Sequence, residues 1–143
     1  MSAPLPTVRP VNPWHRLRAL VGWTLGWHDG GDELGWCDFE TQTISLRRGL
    51  TQAERRSTVL HEVIHAERGA ALTTLEDREE LRVRRQVARE LLPDVRLIGE
   101  ALAWALSFAE AADELWVDEG VLRDRLRWLH PSERHYLRRR LDD

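Results

Sequence analysis

The stretch from Thr51 to Gly69 leaves the backbone little alternative to a helix, and that helix constrains whatever packs around it. Thr51-Gln52-Ala53-Glu54 fits a capping box, in which the Thr51 hydroxyl meets a free backbone N–H and Glu54 reaches back to the cap. Val59, Leu60, Val63 and Ile64 supply an apolar stripe, and Gly69 is a suitable C-terminal stop. The spacing predicts a helix over residues 52–68.

Short strands are expected ahead of it. Trp23, Leu25 and Trp27 alternate with small or polar residues, the pattern of a half-buried strand. His28-Asp29-Gly30-Gly31-Asp32 then signals a turn, and residues 34–39 and 43–46 read as two further strands in an antiparallel meander. Trp14, Leu17, Leu20 and Val21 share one face of a short helix at 14–20. Residues 1–13 carry four prolines and are expected to be a flexible lead.

Helices are expected behind it. One runs over about 75–92, with Val83, Val87 and Leu91 inward and Pro93 as its stop. Another spans about 94–109, with Leu97, Ile98, Ala101, Leu102, Ala105 and Leu106 inward. Residues 111–141 form two or three short helices, one of them capped by Asp118.

Composition narrows the class. With 143 residues the chain suits one domain, and 42% hydrophobic residues suffice for a core. The net charge of -3 gives no reason to expect nucleic-acid binding by the whole chain, although every basic residue is Arg. A lone cysteine, Cys37, excludes an intramolecular disulfide and a Cys-rich metal site. No apolar run approaches the ~20 residues of a membrane-spanning helix, and the proline-rich start lacks the apolar segment of a signal peptide. A cytoplasmic location is expected.

The chemistry lies within the capped helix, in His61-Glu62-Val63-Ile64-His65. Helical residues four apart project to one side, so two imidazoles can share a single Zn²⁺ ion. Glu62 is rotated off that pair but close enough to serve as general base to a water whose pKa the ion lowers to about 7. The expectation is zinc-dependent hydrolysis of a peptide bond.

A third protein ligand is needed. On the following helix Glu80 lies about 20° from the centre of the stripe at Val87, Glu76 lies near it too, and Glu79 sits about 80° away. A carboxylate on a buried stripe needs a partner, and a metal would be one. Glu80 is favoured, with Glu76 and Glu79 as alternatives and Cys37 and His28 as further donors.

These residues resemble the ImmA/IrrE family of metallo-endopeptidases. The resemblance rests on His61-Glu62-Val63-Ile64-His65, Glu80, the segment Val87-Ala88-Arg89-Glu90-Leu91-Leu92-Pro93, and the strand leading into the metal helix, over about residues 20–110. One departure is Arg84, which stands where the family usually has Asp or Asn. Together with the elements above, the expectation is an α+β fold: a small antiparallel sheet, a zincin-like helix pair within a core at 14–110, and a C-terminal helical extension at 111–143. The resemblance implies an intracellular protease, often encoded by phages or mobile elements, that cleaves a helix-turn-helix repressor. Thr43, Ile44, Ser45 and Leu46 would then be the edge strand that an extended substrate joins.

Two weaker signals remain. Residues 111–126 allow a helix-turn-helix reading, with Arg123, Arg125, Arg127 and Arg138-Arg139-Arg140 toward phosphates, a DNA-binding or protein-interaction regulator being the alternative to an enzyme. His135 and Tyr136 are of the types that stabilise an oxyanion opposite zinc.

Overall fold

The computed structural model describes residues 9–142, an α+β arrangement of seven helices and one three-stranded sheet. Helix α1 (Pro13–Arg18) is followed by β1 (Thr24–His28), β2 (Gly35–Asp38) and β3 (Thr43–Arg47). Helix α2 (Gln52–Arg68), a 3-10 turn (Thr73–Leu75) and α3 (Glu76–Leu91) come next. Helices α4 (Val95–Trp104), α5 (Phe108–Glu114), α6 (Glu119–Arg127) and α7 (Pro131–Asp142) complete the chain. Most of the expected lead, residues 1–8, lies outside the described residues. Its end is docked, because the Val11 N–H donates to the Glu90 carbonyl at 3.0 Å.

The sheet is mixed, not the antiparallel meander expected. Its order is β1-β3-β2, with β1 parallel to β3 and β2 antiparallel to it. The glycine pair does not close a two-residue hairpin. Instead residues 29–34 cross the end of β3, where Arg47 holds them through its N–H to the Leu34 carbonyl and its guanidinium to the Gly31 carbonyl, both at 2.8 Å. Gly30 and Gly31, at φ 68 and 84, make that crossing possible. The strand Thr43, Ile44, Ser45 and Leu46 is therefore central, with neighbours on both sides. It is not an edge; β1 and β2 are the edge strands.

Helix α2 forms as its cap dictates. The Thr51 hydroxyl accepts from the Glu54 N–H at 3.1 Å, and the Glu54 carboxylate accepts from the Thr51 N–H at 2.9 Å. Its stripe divides between two cores. Val59 and Val63 pack on Ile44 and Leu46 of the sheet. Leu60 and Ile64 pack on Val83, Val87 and Leu91 of α3. Buried aliphatic side chains of this kind contribute roughly 1.5–3 kcal/mol each, so α2 is fixed from two directions.

The helical core runs on through Ala111, Leu122 and Leu137. The expected boundary at residue 110 falls inside α5, and the C-terminal helices share the core of α3 and α4. The helix expected over 94–109 is broken at Trp104. Ser107 starts a new helix there, its hydroxyl accepting from the Glu110 N–H at 3.1 Å. Leu97 and Leu106, expected inside, are exposed on either side of the break.

Candidate metal centre

With Val59 and Val63 facing the sheet and Leu60 and Ile64 facing α3, the remaining face of α2 opens on a cleft of about 910 Å³. Thr58, His61, Glu62 and His65 line it, at the i, i+3, i+4 and i+7 spacing of one helical face. The two spacers of the H-E-x-x-H segment thus anchor the helix on opposite sides while its polar residues face the opening.

Glu80 of α3 bridges the two histidines. His61 Nε2 lies 2.9 Å from one carboxylate oxygen and His65 Nε2 2.8 Å from the other. The imidazole centroids are 4.9 Å apart. One ligand atom from each of the three residues falls within 4.8 Å of the others, a group able to hold a metal ion. Two nitrogens and a carboxylate suit zinc and leave room for a further ligand. Hydrogen bonds from His61 and His65 hold the Glu80 carboxyl far below the usual range, and the bond to Glu80 raises the pKa of His65. The Nε2 atoms that face Glu80 are the atoms a divalent cation would take in place of protons.

Glu62 is not among the three. It is buried at the cleft wall, and burial pushes its carboxyl pKa up while His61 and His65 pull the other way. That is the placement of a proton acceptor beside the donors rather than among them.

The alternatives for a third ligand separate clearly. Glu79 pairs with Arg68, two oxygens to two nitrogens. Glu76 lines the cleft but is not one of the three grouped residues. His28 is spent on the sheet: its Nδ1 meets the Ser45 hydroxyl at 2.8 Å and its ring stacks on Trp36 with centroids 3.8 Å apart. Cys37 lines the cleft, but burial, with Glu62 and Asp38 adding to it, pushes its thiol up to about 12. Cys37 is not one of the three grouped residues.

His135 and Tyr136 are not brought to the site. Both belong to α7, where His135 is exposed and Tyr136 packs on the helical core. Of the basic residues, Arg127, Arg138 and Arg139 are exposed, whereas Arg125 is not available to a phosphate. Arg125 is buried against Glu133, and Arg123 lies over the Phe108 ring at 5.9 Å.

Two further residues line the cleft: Arg84, whose partner the sequence reading did not assign, and Asp118, which forms the helix cap expected of it. Arg84, one turn beyond Glu80, is held by Asp124 of α6 in a two-pronged pair at 3.0 and 2.6 Å. Asp118 caps α6 through the Val121 N–H at 2.8 Å and also lines the cleft. The four-residue step from Glu80 to Arg84 was visible in the sequence. Asp124, forty residues away, gave no such signal.

Comparison with protein-family models, with curated proteins and with solved structures finds no match to this chain. The site therefore has to be read from its own geometry. No helix among the described residues is long and apolar enough to cross a membrane.

Proposed function

We propose that the chain is a zinc-dependent endopeptidase of the ImmA/IrrE type, with His61, His65 and Glu80 as metal ligands and Glu62 as general base. The observation that carries this reading is the convergence of one Glu80 oxygen on each imidazole, with buried Glu62 beside them in an open cleft. The donor set fits zinc, which when bound supplies a Lewis acid for the scissile carbonyl and an activated water.

The protein's own residues supply the remainder. The two cores fix α2, so His61, Glu62 and His65 keep their relative positions through turnover. Glu62 takes a proton from the attacking water and delivers it to the leaving amine. Strand β2 has a free edge beside the cleft, and an extended peptide pairing with that edge would run past the histidines. The resemblance of the motifs further suggests a cytoplasmic helix-turn-helix repressor as substrate.

Purified protein should hold about one zinc per chain by elemental analysis, and His61→Ala should lose it. Glu62→Gln should keep the zinc and the thermal melt while cleavage of a diverse peptide library, read by mass spectrometry, falls by about 10²-fold or more. Wild-type cleavage by Glu62→Gln would retire the mechanism.

A further inference from the structure

A second cavity, of about 840 Å³, shares no residue with the first. It opens between the start of α2, the junction of α3 with α4, and the end of α5. Its walls put apolar surface in water: Leu97 is 55%, Trp116 57% and Trp104 78% exposed. The volume lies within the roughly 300–1,000 Å³ usual for small-molecule sites.

Arg55 and Arg56 stand at the α2 side of this cavity. Neither forms an ion pair among the described residues. Arg56 is half-buried and spends Nη1 on the Trp116 carbonyl at 2.9 Å. Its pKa is lowered by burial, in keeping with a cation that has lost water without gaining a counter-ion. Trp116 takes a φ of 60, which a bulky aromatic residue rarely adopts, so backbone strain accompanies this contact.

The acidic residues of the cavity are largely committed elsewhere. Asp94 caps α4 and pairs with Arg96. Glu100 binds Arg140 and accepts from Trp104 Nε1 at 3.3 Å. Glu114 is the remaining carboxylate of the lining, and it forms no ion pair with Arg55 or Arg56 among the described residues.

We propose that this cavity binds a small apolar monocarboxylate, an aromatic or long-chain acid, with its carboxylate on Arg56 and its body against Trp104, Trp116 and Leu97. A guanidinium short of water and of an anion is the partner that a carboxylate matches with parallel hydrogen bonds. The exposed indoles supply apolar area for a ring or chain, which excludes inorganic anions as the best fit. Nothing in this site depends on the metal centre, so it stands or falls separately from the peptidase reading.

Isothermal titration of the full chain with naphthylacetate tests it. One saturable site is expected, with the uncharged naphthylacetamide binding about tenfold more weakly or worse, as loss of a charge-assisted hydrogen bond implies. Arg56→Met should lose the acid by a similar factor. Trp104→Ala, at an exposed position where the fold is not at risk, should also weaken binding severalfold while leaving the thermal melt unchanged. Equal binding of acid and amide, unchanged affinity in Trp104→Ala or in a folded Arg56→Met, or no heat at millimolar acid would overturn the proposal. So would binding of a peptide with a free C-terminus where naphthylacetate does not bind.

Discussion

Glu80 presents one oxygen to each imidazole at 2.9 and 2.8 Å, so its negative charge and its two-fold shape both matter. Glu80→Gln keeps the volume but removes the charge and turns one acceptor into a donor. Zinc affinity, measured by competition with a fluorescent chelator, should fall by about 100-fold or more, since even partners outside the ligand set are worth 10–100-fold. Glu79→Gln should leave zinc affinity near wild type, because Glu79 binds Arg68. Equal losses in both variants would remove Glu80 from the ligand set. Helical phase placed Glu80 and Glu76 alike about 20° from the stripe centre and Glu79 about 80° from it, because a 100° step per residue is a property of the sequence once the helix is known. The same arithmetic left Glu76 and Glu79 open, since no periodicity reveals that Arg68 reaches one of them across the loop. His28 shows that limit too, its partners Ser45 and Trp36 being brought to it only by strand pairing.

At the scale of elements, the meeting of β2 with α2 forms the lip of the cleft that holds the candidate site, and Gly35 allows it. A Cβ at that position would lie 2.6 Å from Thr58 Cγ2 and 3.0 Å from the Ser45 carbonyl oxygen. Gly35→Ala must therefore push β2 away from α2 or from β3, at a cost of about 1–3 kcal/mol, typical of overpacking. Urea unfolding should record that loss, and peptide cleavage should fall further than stability explains, because β2 borders the histidines. Thr58→Ser removes the closer of the two obstacles. The double variant should recover much of the loss, a coupling that independent sites do not show. Helix α2 was legible to the residue because its cap, stripe and stop all lie within nineteen consecutive positions. Strand order was not, because β1 joins β3 through a pairing that no local pattern encodes. The break after Trp104 had a visible sign in Ser107-Phe108-Ala109-Glu110, a helix-start signature that the run of alanines and leucines around it obscured.

At the scale of the whole molecule, the C-terminal helices are tied to the α2–α3 pair, which carries the candidate site, through Glu133. Its carboxylate accepts from Arg125 of α6, from Arg89 of α3 at 2.9 Å and from the His130 N–H at 3.0 Å. Arg125, almost wholly buried, also donates to the Leu92 carbonyl at 2.7 Å, which joins α6 to the turn between α3 and α4. Burial alone would raise the Glu133 pKa, but Arg125, His130 and Arg89 outweigh it and bring the carboxyl down to about 2 from an ordinary 4.5. A folded-state pKa below the unfolded one means that the charged form stabilises the fold. That contribution is complete above about pH 4.5 and disappears as the pH falls toward 2. Glu133→Gln leaves the Arg125 cation buried without its anion, so at neutral pH it should destabilise the metal-free protein by about 3 kcal/mol. With both proteins stripped of metal, proton competition at the histidines is the same in each and cancels in the difference. Urea unfolding across a pH series should show the gap between wild type and variant widest at neutral pH and narrowing steadily below pH 4.5. A gap that stays constant down to pH 2 would mean that shape, rather than charge, is what Glu133 contributes at this junction.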